Sequence, residues 1–181
     1  MTTALIDYQP LEDGAKLAAS VAEVLGDRVV SVHHIGSTAV PALLSKDVID
    51  LQATVLDFEG VGDLRGDLES LGFEFRPEID RDHVPPWALP GQDWEKRYFS
   101  KRSAQRAHLH VRCAGRANRR YALLFRDYLR AAPSAAAAYA TFKRHLAASA
   151  MDYVEVKDAF CDVVILSAEG RAQLCGWTEP S

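Results

Sequence analysis

Long apolar runs are missing: no stretch approaches the roughly 18 residues that a membrane-crossing helix needs. The first residues, MTTALIDYQPLEDG, hold neither the basic segment nor the apolar core of a secretory leader. Cysteine is scarce. Cys113, Cys161 and Cys175 are odd in number, scattered and without a CxxC pair, so a disulfide framework is excluded. These absences together point to a cytoplasmic chain with reduced thiols and no membrane partner. No internal repeat or low-complexity linker divides the sequence, and 181 residues with 48% apolar and 25% charged content suit one domain with its own core.

Acid is nearly absent from one segment. Between Lys96 and Arg130 stand eleven Lys or Arg residues and a single acid, Asp127, whereas residues 1–95 carry eighteen acids and six bases. A basic third on a chain of net charge −4 points either to a localised anion site or to a solvated basic face.

Periodicity supplies the elements. Leu11, Ala15, Ala18, Ala22 and Leu25 repeat at helical spacing before Gly26. Residues 28–35, 45–55, 73–75, 95–100 and 105–113 read as strands, and a short helix spans Gly62 to Leu71. Residues 76–93 hold four prolines and no period, which marks a long loop of the kind that often forms a functional lid. Three helices follow: one capped by Asn118, one opened by Pro133 and one capped by Asp152 with Val156, Phe160 and Val163 inward. The expected fold class is α+β (α/β), a single domain over 1–181 with a mixed sheet core in 1–115 and helices of 116–175 packed on it.

The chemistry concentrates in HHIGSTAVPALLSKDVIDLQ, His33 to Gln52. A strand, the Gly36-Ser37 turn and a second strand bearing Asp50 form the layout of the nucleotidyltransferase superfamily. In that layout the turn offers backbone N–H groups and a hydroxyl to phosphate, and carboxylates hold Mg²⁺. Strand alternation places Val48, Asp50, Gln52 and Thr54 on one, open face and the apolar Ile49, Leu51, Ala53 and Val55 on the core face. Asp47 lies off that open face, and the position two after Asp50, where a second carboxylate is expected, is Gln52. On the strand 105–113, Arg106, His108, His110 and Arg112 share one face, and two histidines at i and i+2 can ligate a metal or meet an anion. Asp50, His108 and His110 are therefore the expected ligands of a divalent metal, Mg²⁺ or Mn²⁺, with Zn²⁺ as a further option. Arg106 and Arg112 are expected at phosphate.

HIGSTAVPALLSKDVIDL resembles the signature of the GrpB family, commonly (E/D)HIGSTSVPGLxxKPxIDI. His108-Leu-His110 is similar to that family's HxH strand, and LLFRDYLRAAPSAAAAYATFKRHLA is similar to its C-terminal FRDYLR…Y…K…LA segment. The resemblance covers residues 20–170 and implies a nucleotidyltransferase-like core with a helical C-terminal part. It also connects the chain to an accessory domain fused to dephospho-CoA kinase in some actinobacteria, regarded as a folding aid. The positions it carries over are His34, Gly36, Ser37, Thr38, Lys46, Asp50, His108, His110, Arg126, Asp127, Tyr139 and Lys143. His34, Gly36, Ser37 and Thr38 are expected at phosphate, Lys46 as a catalytic counter-charge beside Asp50 and His108, and Tyr139 with Lys143 at the substrate end of the cleft. Arg126 and Asp127 read either as an ion pair within their helix or, through Arg126, as a phosphate contact. The chain departs from the pattern at His33, Ala42 and Asp47, and Ala42 in place of glycine implies a loop without positive φ.

The functional expectation is binding of a nucleotide or phosphorylated small molecule with a divalent metal, with nucleotidyl transfer to a small acceptor. The alternatives are a non-catalytic accessory protein, with dephospho-CoA kinase as a partner, and a metal-dependent enzyme of other chemistry in the same Asp/His cleft. Nucleic acid is disfavoured, since aromatic residues do not interleave with the basic strand as stacking platforms.

Overall fold

Leu11–Leu25 forms α1, which buries Gly14, Leu17, Ala18, Val21 and Leu25. Ala18 and Leu25 of the expected stripe are buried, but Gly14, Leu17 and Val21 take the other inward places, and Ala15 is exposed. The structure, a computed structural model, describes residues 4–5, 11–59, 63–103 and 105–181. The expected helix start at Gly62 lies outside the described residues. The strands are β1 (Ser31–Ile35), β2 (Ile49–Val55), β3 (Glu74–Phe75), β4 (Arg97–Lys101) and β5 (Ala107–Cys113), with the helix α2 (Arg65–Ser70) before β3. The C-terminal helices are α3 (Ala117–Ala131), α4 (Pro133–Ala147) and α5 (Tyr153–Cys175).

The five strands make one mixed sheet in the order β1-β2-β5-β4-β3, in which only β2 and β5 run parallel. The register fixes the faces. Leu51 pairs with Leu109, and Asp50 with His108, so each face of β2 continues onto β5. The apolar face packs against α1 and α2 and holds the main core, including Leu51, Val55, Phe99, Leu109 and Val111.

The opposite face is not open. Helices α3, α4 and α5 lie over it, with their own apolar clusters around Tyr139 and Ile165. Arg119 Nε donates to Thr54 Oγ1 at 3.0 Å, Arg126 to the carbonyl of His34 at 3.1 Å and Arg130 to that of Ala39 at 2.8 Å. Gln52 is 0% exposed. Its expected place on an open face is therefore corrected: the face is polar but covered.

Two local expectations also change. Asp152 caps α5 by accepting from the N–H groups of Val154 and Glu155, as expected, but Val163 is 63% exposed and the inward residues are Cys161, Ile165, Ala168 and Ala172. Asn118 is not the cap of α3. It lies inside the first turn, buried, donating to Asp82 and to the carbonyl of Glu95.

Ala42 adopts φ 57°, so the loop after Pro41 does require a left-handed residue, against the reading from the alanine. A Cβ there costs about 1–2 kcal/mol. Ala42→Gly should therefore raise the unfolding free energy by about 0.5–1 kcal/mol after the entropy of the added glycine is subtracted. Urea denaturation checks this, and an unchanged or lowered midpoint contradicts the strain.

Candidate functional site

Between the polar face of the sheet and α3–α5 lies a cleft of about 400 Å³, within the range of small-molecule sites. Asp50 and His108 form its floor, side by side through the β2–β5 register, with His108 Nδ1 3.2 Å from Asp50 Oδ1. At one end stands the turn after β1. Gly36 has φ 68° and ψ −168°, and a Cβ there would lie 2.6 Å from Asp50 Oδ2. Only glycine lets the backbone come this close to the carboxylate.

Lysines gather at the same end. Lys143 Nζ lies 2.8 Å from Ser37 Oγ, also donates to the carbonyl of Leu44, and sits 4.5 Å over the Tyr139 ring. Its side chain is buried, 2% exposed. Burial drives its pKa down to about 7; Lys157 pushes the same way, and Cys161 and Asp50 oppose. Lys46 is exposed at the mouth over the Tyr153 ring at 4.3 Å, and burial of its stem together with Lys157 lowers its pKa. Lys157 lines the cleft and pairs with Asp158 at 3.1 Å. The wall also carries the rings of Trp94, Tyr121 and Phe125.

The same cleft is lined by a buried ion network that includes Asp82, His110, Arg112 and Asn118. Asp82 receives Arg112 at 2.7 and 2.9 Å, Lys96 at 2.7 Å and Asn118 at 3.1 Å. Burial alone would raise the Asp82 pKa, but the charge and hydrogen bonds of Arg112, with Lys96 beside it, hold the carboxyl far below its usual range. Arg112 also donates to Gln52 Oε1. His110 Nδ1 faces Lys96 Nζ and Arg112 Nη2, each at 3.3 Å. Burial, then Arg112 and Lys96, depress the His110 pKa, so the ring is neutral and its Nδ1 lone pair is directed at two cationic donors. His110 Nδ1 is thus taken up by the ion network, and no group of three candidate ligands is assembled around Asp50, His108 and His110 among the described residues.

Among the described residues no group of three or more His, Cys, Asp or Glu is arranged to hold a metal. Asp50 and His108 supply two donors. That suits Mg²⁺ or Mn²⁺, which take the rest of their shell from phosphate and water, and does not match a zinc site with its three or four protein ligands. The glycine cradle at Gly36, which leaves Asp50 Oδ2 uncovered by any Cβ, fits the same small, hydrated ion.

The profile of the family described as GrpB protein matches residues 6–166. The chain belongs to the GrpB family. It is 34% identical to the UPF0157 protein YqkA of Bacillus subtilis over 155 residues, 83% of this chain and 40% of that one. It is 30% identical to dephospho-CoA kinase of Mycobacterium leprae over 188 residues, 92% of this chain and 46% of that one. The chain thus spans less than half the length of these two relatives. The crystal structure of conserved protein GrpB from Enterococcus faecalis superposes with a TM-score of 0.74 at 30% identity, covering 94% of this chain and 99% of that one.

The GrpB signature residues divide into two groups. Gly36, Ser37, Lys46, Asp50, His108, His110, Tyr139 and Lys143 line the cleft together. His34 and Thr38 do not. The His34 ring packs beneath α1, where a Cβ on Gly14 would lie 2.2 Å away, and Nε2 hydrogen-bonds Thr38 Oγ1 at 2.9 Å. Burial lowers its pKa to about 4, so it is a neutral strut of the turn rather than a phosphate ligand. Gly14→Ala is expected to destabilise by about 1–3 kcal/mol through this clash, measurable by thermal melting; a neutral effect would contradict the packing.

Arg106 is corrected as well. It is exposed, 3.9 Å from Asp47 and away from the cleft lining, while Arg112 is held by Asp82 and Gln52. Arg126 pairs with Asp127 at 2.7 Å as well as holding the His34 carbonyl, so it is structural. Sequence reasoning missed Asp82, Lys96 and Lys157. The long loop drew attention, but nothing local to Asp82 distinguished it from the acids around it.

Proposed function

We propose that the cleft binds a nucleotide or other phosphate-bearing small molecule together with a divalent metal ion, as the ground for group transfer to a small acceptor. The observation that carries this reading is the convergence of the Gly36-Ser37 turn, Lys46, Lys143, Lys157 and the Asp50–His108 pair at one end of one cleft. The turn and lysines suit a phosphate chain as donors and counter-charge. The aromatic wall of Trp94, Tyr121 and Phe125 suits a planar base. Asp50 and His108 are the residues that would hold Mg²⁺ or Mn²⁺, and such an ion neutralises phosphate charge as it forms.

Gln52 weighs against a two-metal route, because its carboxamide cannot bridge ions and already accepts from Arg112. Calorimetric titration with ATP in the presence of Mn²⁺ tests the binding reading. A saturable one-site heat, weakened at least about tenfold without metal, is expected from a ligand that shares the ion's shell. No heat with any of the four ribonucleoside triphosphates would sink it.

A second reading is that the protein assists dephospho-CoA kinase. A relative that bears that name matches 92% of this chain, and the missing second carboxylate fits a non-catalytic role. Co-expression with the kinase should then raise the kinase's soluble yield. An unchanged yield with no co-purification would remove this alternative.

A further inference from the structure

Lys143 is a buried amine with an unusual set of neighbours. Among the described residues no carboxylate forms an ion pair with it; its partners are the Leu44 carbonyl, the Ser37 hydroxyl and the Tyr139 ring face. A lysine meant only to balance phosphate charge is best placed with its ammonium open to the ligand. Here Nζ is enclosed and aimed at a hydroxyl, and both side chains line the cleft. In the neutral amine two N–H groups serve Leu44 and the ring, and the lone pair is left for the Ser37 O–H. Ser37 follows the glycine that abuts Asp50, and it lines the cleft where a phosphate is expected.

We propose that Ser37 is a nucleophile and Lys143 its general base, forming a covalent phosphoserine-type intermediate from a phosphate ester or anhydride. In the first step Ser37 Oγ bonds to phosphorus as the bond to the leaving oxygen breaks. The hydroxyl proton passes to Lys143 Nζ and from there to the leaving oxygen. In the second step water or an acceptor hydroxyl attacks phosphorus and gives its proton to Nζ. The P–Oγ bond breaks, and Ser37 Oγ recovers a proton from Lys143. No second metal-bridging carboxylate is needed, which matches Gln52. The pKa of about 7 keeps a large share of Lys143 neutral near neutral pH; the groups facing it are Tyr139 on its own helix, Cys161 and Lys157 on α5 and Asp50 on β2. This step rests on the phosphate-binding reading for its substrate, not for its nucleophile.

A fluorophosphonate probe, which loses fluoride on attack by an activated serine, separates the two. Peptide mass spectrometry of the full chain should show one adduct on Ser37, with a labelling rate that rises with pH about a midpoint near 7. Lys143→Arg keeps the charge but cannot act as base, and should slow labelling by about 10²–10⁴-fold. If that variant does not fold, the pH profile of the unaltered protein decides. Absence of a Ser37 adduct at pH 8.5, a flat profile, or equal rates in Lys143→Arg overturns the dyad. Calorimetry on the same sample reports nucleotide binding independently, so intact binding without an adduct overturns this inference alone.

Discussion

Asp50→Ala is expected to abolish Mn²⁺-dependent nucleotide binding, weakening it by at least about 100-fold, while the melting temperature changes little. Removing a group that merely orients a metal ligand already costs about 10–100-fold in metal affinity, and in the proposed site Asp50 would be one of two protein donors. His108 alone cannot retain a hard ion that prefers oxygen. The fold should tolerate the change because the Asp50 carboxylate is half-buried at the cleft floor, where it hydrogen-bonds to His108. Calorimetry with Mn²⁺ and nucleotide, alongside a thermal melt, reads both effects. Unchanged affinity in a folded variant removes Asp50 from the site.

Arg112→Met should produce the largest loss of stability, about 3–5 kcal/mol, the usual result of taking one partner from a buried ion pair. It leaves Asp82 with Lys96 and Asn118 only and Gln52 Oε1 without its donor. The loss has a pH signature. The folded Asp82 pKa is depressed, so the pair's contribution is fully present above the unfolded value of about 4 and is lost as pH falls below it. Arg112→Met should therefore unfold at lower urea than the parent at pH 7, with the gap narrowing as the solution is acidified below pH 4. A gap that stays constant through that range contradicts the linkage.

The sequence carried the strand alternation that places Asp50 and His108 on one face, and the β2–β5 register then sets them beside each other. Helix stops and starts were equally legible where one residue decides them, as at Pro133 and Asp152. The polar face was misread because alternation reports only which residues share a face, not whether something covers it. Gln52, Thr54, His110 and Arg112 look solvent-directed, yet each meets a polar partner from another segment. Most of the basic segment is engaged in the same way. Lys96 and Arg112 meet Asp82, Arg116 meets Asp93, Arg119 meets Glu179 and Arg120 meets Glu169. Charge asymmetry along the chain therefore marked internal ion pairs more than an anion site. His110, expected as a ligand, turns its Nδ1 toward two cations, Lys96 just before β4 and Arg112 on its own strand.

Ala42 shows a different limit. An alanine suggests ordinary backbone, but a left-handed turn fixed by its neighbours holds it at φ 57°. Lys143 lines the cleft beside Tyr139, in keeping with their i, i+4 spacing, while its contact with Ser37 joins residues 106 positions apart and no local pattern could reveal it.

The most direct measurement is a crystal structure of the protein soaked with Mn²⁺ and a non-hydrolysable nucleoside triphosphate, with anomalous scattering used to locate the metal. A manganese peak in contact with Asp50 and His108, with phosphate oxygens at the Gly36-Ser37 turn, is the predicted result. Metal or nucleotide bound elsewhere, with the cleft empty, would contradict it.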